Sequence, residues 1–250
     1  MTDTGNIRTI RFRSWHKFVA NFGFDLFLDG VILPGGFLFR GQGDANYELR
    51  SSFDRRFADI PIDDRVRKYQ RVKDNFAKLY REEVDEEASD DLTISVAQHY
   101  GLPTRLLDWS SNPFVAAYFA FNRAALSNQR SGNVVIWALQ RSSKLIHHQL
   151  GLSVLEARSK GNLRANAQLG YFTHLTGLHE TLEDYARAAP PQGQPLLIRF
   201  VLPVTEARTA FAYLSSVGVN ARKLFPDFEG IALSALESDW LQSLKDVLSA

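Results

Sequence analysis

The sequence has 250 residues, a formal net charge of +1 and no cysteine, and 45% of its residues are hydrophobic. This length and composition allow a sizeable core, and the 18 phenylalanines and 4 tryptophans indicate that the core is rich in aromatic side chains. The absence of cysteine excludes disulfides, thiol nucleophiles and thiolate-bound metals. The small net charge gives no whole-protein argument for binding nucleic acid or acidic membranes.

The N-terminal portion of the chain is predicted to be largely helical. Ser14 is a candidate cap for a short helix with aromatic residues on one face. Apolar residues at helical spacing then predict a long helix from Asp64 to Glu87 and a second from Leu92 to His99. We therefore expect residues 60–100 to form the main helical segment.

A short apolar strand, Phe37 to Phe39, leads into Arg40, Gly41 and Gln42. An arginine at the end of a buried strand and directly before a glycine can face a cleft and bind an anion there. It can equally form an ion pair that only closes the strand end. The sequence leaves both interpretations open.

The stretch from Ala97 to Phe121 concentrates polar residues around a short apolar segment. Gly101 and Pro103 force a turn before this segment, and Pro113 suits the first turn of a helix, with Ser111 or Asn112 as its cap. We therefore predict a loop, a buried strand and a buried helix in succession. The residues that this arrangement places around one strand are His99, Arg105, Asp108, Trp109 and Ser110.

Several residues of this stretch also have a purely structural explanation. Arg105 and Asp108 could form a buried ion pair that fixes the strand. Gln98 and His99 could hydrogen-bond the turn at Gly101.

The second half of the chain contains the two clearest strand patterns. They are the β-branched run Val134 to Leu139 and the apolar run Leu196 to Leu202. Helices are predicted from Thr205 to Val217 and from Asp227 to Ala250. Because strands and helices are mixed without strict βαβ alternation, we predict an α+β fold with a mixed central sheet, formed as a single domain over residues 1–250.

Two of these segments carry a resemblance to a known family. The Phe39-Arg-Gly-Gln42 segment and the stretch from Ala97 to Phe121 are similar to the FRG domain family, which takes its name from the Phe-Arg-Gly tripeptide. The segments 168–172 and 224–230 are similar to the family as well, so the resemblance extends over about 15–236. It implies the settings in which FRG-like domains are thought to occur, those of toxins and phage-defence effectors.

The order of the motifs also resembles that of the ADP-ribosyltransferase fold. In that fold an Arg-Gly follows the first strand, a Ser/Thr-rich strand leads into a helix, and a later strand carries a catalytic Glu or Gln. The matching positions here are Arg40-Gly41, Asp108 to Ser110, and Gln168. The resemblance implies an ADP-ribosyltransferase-like fold and an enzyme that uses NAD as a substrate, either transferring ADP-ribose to a protein or nucleic-acid acceptor or hydrolysing NAD.

The same resemblance implies roles for individual residues. It assigns catalysis to Gln168, His99 and Asp108. Because Gln168 carries no charge, His99 or Asp108 would compensate for it, and Glu229 is a further candidate carboxylate. The residues that it assigns to NAD binding are Arg40, Gly41, Gln42, Arg105 and Ser110.

Two other functions compete with this hypothesis. Basic and aromatic residues at 50–56 and 65–73 suggest a non-catalytic module that binds nucleotides or nucleic acid. Metal-dependent hydrolysis of nucleic acid by His99 and Asp108 ranks last, because it needs further carboxylates. The first residues lack a signal-peptide pattern and no apolar run reaches membrane-spanning length, so we expect a cytoplasmic protein without a membrane partner.

Overall fold

The computed structural model describes residues 5–23, 26, 36–84, 90–126, 131–157 and 163–249. Within them the strands form one sheet in the order β1-β7-β4-β2-β3-β6-β5. β1 and β7 are parallel and the other neighbours are antiparallel, so the predicted mixed sheet is confirmed. The strands are β1 (Ile7–Arg11), β2 (Phe37–Gln42), β3 (Leu106–Ser110), β4 (Asn133–Gln140), β5 (Leu152–Glu156), β6 (Gly170–Leu175) and β7 (Leu197–Pro203).

Helices cover both faces of this sheet, which confirms the predicted α+β class. In the part of the chain that the structure describes, none of them is long and apolar enough to cross a membrane. The helices are α1 (Trp15–Asn21), α2 (Ser52–Arg56), α3 (Ile62–Val84), α4 (Asp90–His99), α5 (Pro113–Leu126), α6 (Leu163–Ala167), α7 (Leu182–Ala188), α8 (Ala207–Ser216), α9 (Ala221–Leu224) and α10 (Phe228–Ser249).

The core lies on both faces of the sheet because side chains alternate between faces along each strand. Phe39, Ile136 and Phe200 point to the face that α1, α5 and α8 cover. Their neighbours Leu38 and Trp137 point to the opposite face, where α7 packs. Both faces are therefore closed by helices, which explains why the central strands read as continuous apolar runs in the sequence.

Strand β2 and helix α5 are in direct backbone contact. A Cβ atom added at Gly41 would lie only 1.8 Å from the carbonyl oxygen of Ala116 and 2.6 Å from the backbone nitrogen of Ala120. The helix can approach this closely because the residues facing the strand are small. The Asn112 side chain caps α5 by accepting a hydrogen bond from the Phe114 N–H at 2.8 Å, which confirms one of the two predicted caps.

Several boundaries differ from the sequence prediction. β2 continues through Arg40, Gly41 and Gln42, because all three pair with β4. The predicted helical portion lies between β2 and β3 rather than ahead of the sheet, since β1 is already part of the sheet. The long predicted helix is present as α3, and residues 85–89 lie outside the described residues.

Six helices and strands among the described residues have no counterpart in the sequence prediction: β1, α2, β5, α6, α7 and α9. β1 and α2 lie in segments with mixed basic and aromatic residues, and β5 and α7 lie in segments without clear periodicity. β1 forms because its parallel partner β7 supplies the backbone hydrogen bonds. That pairing joins residues 7–11 to residues 197–201, which lie far apart in the sequence, so no local pattern predicts it.

Candidate functional site

A cavity of about 300 Å³ lies between β2, β3 and the start of α5, and we call it the β2–α5 cavity. Three segments that are remote in the sequence meet there, around Arg40, Asp108 and Gln168. Its lining combines apolar walls with these polar groups. The lining residues are Phe39, Arg40, Gly41, Asp108, Trp109, Ser110, Val115, Ala116, Phe119 and Gln168.

Two further cavities share Asp108 with the first. The α6 cavity, of about 250 Å³, extends toward α4 and α6, and the loop cavity, of about 290 Å³, extends toward α2 and the loop at 101–103. The α6 cavity is lined by Ser95, Gln98, His99, Asp108, Trp109, Ala157, Arg164, Ala165, Gln168, Gly170, Tyr171 and Phe172. The loop cavity is lined by Arg40, Ser52, Arg55, Gln98, Gly101, Leu102, Pro103, Leu106, Leu107 and Asp108.

Arg40 and Asp108 contact each other where the cavities adjoin. Arg40 Nη1 donates to the carbonyl oxygen of Asp108 at 2.7 Å and lies 3.5 Å from the carboxylate Oδ2. The Arg40 side chain is 20% exposed and that of Asp108 is 65% exposed. Arg40 therefore lines a cleft and forms an ion pair at once, so both interpretations of this strand arginine describe part of its environment.

Protein groups offset only part of the burial cost of the Arg40 guanidinium. Burial lowers the pKa of Arg40 from its ordinary value, while the charge of Asp108 acts in the opposite direction. Its Nε atom is buried and has no hydrogen-bond partner in the structure. Buried polar groups are normally paired, so this donor is an exception to that rule.

Gln98 holds the carboxylate of Asp108 in place. Its Nε2 donates to Asp108 Oδ1 at 2.8 Å, and its Oε1 accepts from the Thr104 hydroxyl at 2.6 Å. The second bond fixes which way the amide points. The backbone carbonyl of Gln98 accepts from the Gly101 N–H, as predicted for the turn, but its side chain serves Asp108.

His99 lies at the open edge of the α6 cavity. It is exposed and its ring packs edge-on against Tyr100. The structure therefore brings His99 to the same groove as Asp108 through a neighbouring cavity, without a direct contact between the two among those described.

Ser110 and Gln168 connect β3 to the turn before β6. The Ser110 hydroxyl donates to the backbone carbonyl of Gln168 at 2.7 Å, and Gln168 Nε2 donates to the carbonyl of Leu224 at 3.1 Å. The resemblance implied that Gln168 lies on a strand, which is wrong: α6 ends at Ala167 and β6 begins at Gly170. Leu169, with a φ of 51°, turns the chain between them.

Arg105 lies apart from the three cavities. Its buried guanidinium donates to Asp54 Oδ2 at 3.0 Å and to the backbone carbonyls of Gly177 and His179 at 2.9 and 2.6 Å. The alternative of an Arg105–Asp108 ion pair is therefore wrong, because Arg105 pairs with Asp54 and Asp108 with Arg40. Extended chains alternate side chains between faces, so residues three positions apart do not meet.

Gln42 also points away from the cavities. Its Oε1 accepts from Trp137 Nε1 at 2.8 Å, and its Nε2 donates to the carbonyl of Glu48 at 3.1 Å. Both ends of the amide are used by the protein. Gly41, by contrast, lines the β2–α5 cavity, although its missing side chain is what lets α5 approach β2.

Arg164 is a charged residue of the α6 cavity to which the sequence prediction gave no role. Its Nη2 lies 2.7 Å from both Asp227 Oδ2 and Glu229 Oε2, and its guanidinium lies over the Phe225 ring at 5.1 Å. The hydrogen bond to Asp227, and after it the bond to Glu229, raises the pKa of Arg164. The bond from Arg164 lowers the pKa of Asp227. Glu229, considered as a further carboxylate, is thus held in an ion pair.

Among the described residues, no group of three or more His, Cys, Asp or Glu side chains is arranged to hold a metal ion. The further carboxylates that the metal hypothesis required beside His99 and Asp108 are therefore not found in that part of the chain.

In the comparison with known proteins, one family model matches part of the chain. The family model for the FRG domain matches residues 35–129. This range contains Arg40, Asp108 and Ser110 but not Gln168, so it is narrower than the resemblance seen in the sequence. No curated protein and no solved structure matches the chain.

Proposed function

From the premise that residues 35–129 carry an FRG domain, we propose that the chain is an ADP-ribosyltransferase-like enzyme that uses NAD. It transfers ADP-ribose to an acceptor or hydrolyses NAD. One observation carries the proposal: Arg40, the segment 108–110 and Gln168, in the order expected of such an enzyme, line one cavity.

The chemistry of the β2–α5 cavity suits the parts of NAD. The side chains of Phe39, Val115 and Phe119 form apolar walls for a flat aromatic ring. Arg40, at the edge of these walls, offers a planar guanidinium, which matches the oxygens of a diphosphate better than a lysine does.

The polar groups suit cleavage of the bond between nicotinamide and ribose. Nicotinamide leaves with the bonding electron pair, and positive charge develops on the ribose. Gln168 is neutral and can orient a ribose hydroxyl through its amide oxygen, so we assign the stabilising negative charge to Asp108, which Gln98 holds at the junction of the cavities. His99, at the rim, is the candidate base that accepts the proton of water or of another acceptor.

Nicotinamide release from NAD by the purified protein tests this proposal. We expect Asp108→Asn, which keeps the shape of the side chain, to lower kcat by about a hundredfold or more, the usual loss when a group that stabilises transition-state charge is removed. Arg40→Gln should mainly raise KM, and Arg208→Gln, at an exposed arginine outside the cavities, should change neither constant. Wild-type protein that releases no nicotinamide, or an Asp108→Asn variant of unchanged kcat, would refute the proposal.

The cellular role that we propose with this activity is that of a cytoplasmic toxin or phage-defence effector. Consumption of NAD or modification of a protein or nucleic-acid acceptor would serve such a role.

A second candidate function is a non-catalytic module that binds nucleotides or nucleic acid. Lys68 and Arg56 lie over the Phe57 ring at 4.8 and 6.0 Å, so an aromatic ring and two cations form one small surface. Such surfaces bind single-stranded nucleic acid by stacking and by phosphate contacts. Binding that weakens steeply with salt, in the absence of nicotinamide release, would favour this alternative.

A further inference from the structure

We propose that the loop cavity is a phosphate subsite in which Arg55 and Arg40 bind one anion together, the phosphate or diphosphate group of a nucleotide. The assignment of the nucleotide rests on the proposed function, whereas the anion subsite rests on the geometry below. Arg55 thereby becomes a ligand-binding residue that the sequence indicated only as part of a basic segment.

Two elements bring the guanidinium groups of Arg40 and Arg55 to the same cavity. Arg40 belongs to β2 and Arg55 to the last turn of α2, and both side chains line the loop cavity. Among the described residues that line it, Asp108 is the only carboxylate, and its oxygens already face Arg40 and Gln98. The formal charge of the lining is therefore positive.

The two guanidinium groups repel each other. Burial contributes most to lowering the pKa of Arg40, and the charge of Arg55 lowers it further. Holding like charges close together costs free energy in the folded protein, and a bound anion removes that cost. Among the described hydrogen bonds the Arg40 guanidinium uses one of its five N–H donors, which leaves others for this anion.

Arg55 is held in position by one hydrogen bond and keeps other N–H donors for a ligand. Its Nη1 donates to the backbone carbonyl of Arg50, which fixes the side chain along α2. A guanidinium carries further N–H donors in the same plane, so the anchored group can still bind a phosphate with two oxygens.

The position of Arg40 connects this subsite to the rest of the groove. Arg40 also lines the β2–α5 cavity, whose walls include Phe39 and Phe119. A molecule that carries both a phosphate and a flat ring can therefore place the ring against these walls and the phosphate between the two arginines. This is the arrangement that a nucleotide requires.

Isothermal titration with inorganic diphosphate and with ADP tests the subsite. We expect Arg55→Gln to weaken the binding of both by on the order of tenfold, the usual effect of one exposed charge-assisted contact. Arg55→Lys should recover part of the loss. Arg208→Gln is the control, because this arginine of α8 is also exposed but lines none of the three cavities, and it should bind both ligands as the wild type does.

Two results would overturn the subsite: diphosphate that does not bind the wild type at low salt, or equal affinities of the Arg55→Gln and Arg208→Gln variants. The subsite and the proposed function can fail separately. Diphosphate binding that depends on Arg55 in a protein that releases no nicotinamide would support the subsite and refute the NAD-using enzyme. Nicotinamide release combined with diphosphate binding that does not depend on Arg55 would support the NAD-using enzyme and refute the subsite.

Discussion

Arg105 provides a sharp test of the structure, because the sequence resemblance assigned it to NAD binding and the fold places it in the interior. Its side chain is fully buried, and it holds together Asp54 of α2 and the carbonyls of Gly177 and His179. We therefore expect Arg105→Met, which keeps much of the volume and removes the charge, to affect stability rather than ligand affinity.

The expected loss follows from these contacts. Removing one partner of a buried ion pair costs about 3–5 kcal/mol, because the other charge is left uncompensated. The carbonyl oxygens of Gly177 and His179, which lose their donor, add to this cost. Arg65 limits it, because its Nη1 lies 3.6 Å from Asp54 Oδ1 and remains as a partner of that carboxylate. For a protein of this size each 1 kcal/mol lowers Tm by about 2–4 °C, so we expect Tm to fall by roughly 6–20 °C.

Urea unfolding followed by tryptophan fluorescence measures the effect. Arg40→Met is the control: this arginine is partly exposed and donates to a single carbonyl, so we expect it to cost no more than about 1.5 kcal/mol. Asp54→Asn should cost less in the Arg105→Met background than in the wild type, because the two residues share one interaction. Arg105→Met within about 1 kcal/mol of wild type, or equal to Arg40→Met, would refute the reasoning.

Two further predictions concern a packing contact and a buried carboxyl group. Gly41→Ala should lower the free energy of unfolding by about 2 kcal/mol or more, because its Cβ would overlap the α5 backbone. Gly43→Ala is the control and should cost little, because its Cβ would lie 3.6 Å from the Ala120 carbonyl oxygen. Equal urea midpoints for the two variants would contradict this prediction. Burial raises the pKa of Glu183 from 4.5 to about 7, so the folded state binds this proton more tightly than the unfolded chain does. The contribution of Glu183 to the free energy of unfolding is therefore fully present below pH 4.5 and is lost as pH rises through about 7. Glu183→Gln, which keeps an acceptor for the Leu49 N–H, should remove this part of the pH dependence in urea titrations from pH 5 to pH 8, and an unchanged dependence would show that another group causes it.

Much of the fold could be predicted from the sequence because its elements carry local patterns. β4 and β7 are continuous apolar runs, and they were predicted because a central strand covered on both faces needs apolar residues at every position. α5 was predicted from Pro113 and its cap, and α3 from helical spacing. Each signal lies within a short segment.

The elements that were missed depend on distant partners. β1 is a strand because β7 lies beside it, and α7 packs beneath the sheet through Leu182 and Tyr185. The turn at Leu169, which separates Gln168 from β6, has a backbone conformation that a leucine rarely adopts and that no residue preference announces.

In the candidate site, too, local sequence patterns predicted some features and contacts between distant residues determined others. From the sequence alone, Arg40, Asp108, Ser110 and Gln168 could be selected as polar residues beside strands, and the fold brings all four to one cavity. Their roles in NAD chemistry remain predictions. For Gln98 the sequence suggested only a hydrogen bond to the turn at Gly101, and the structure adds the bond of its side chain to Asp108.

What the sequence by itself determined is the fold class and the group of polar residues near the central strands, because both follow from periodicity and from residue types that act locally. What only the tertiary structure decided is which arginine faces a ligand cavity and which supports the fold. Arg40 and Arg105 look alike in the sequence, each beside a short apolar strand. They differ in their partners, since Arg105 meets Asp54 and two distant carbonyls in the interior, whereas Arg40 meets Asp108 at an open groove. Contacts between residues far apart in the chain set the burial and the charge balance of each guanidinium, and these two quantities separate a structural arginine from one available to a ligand.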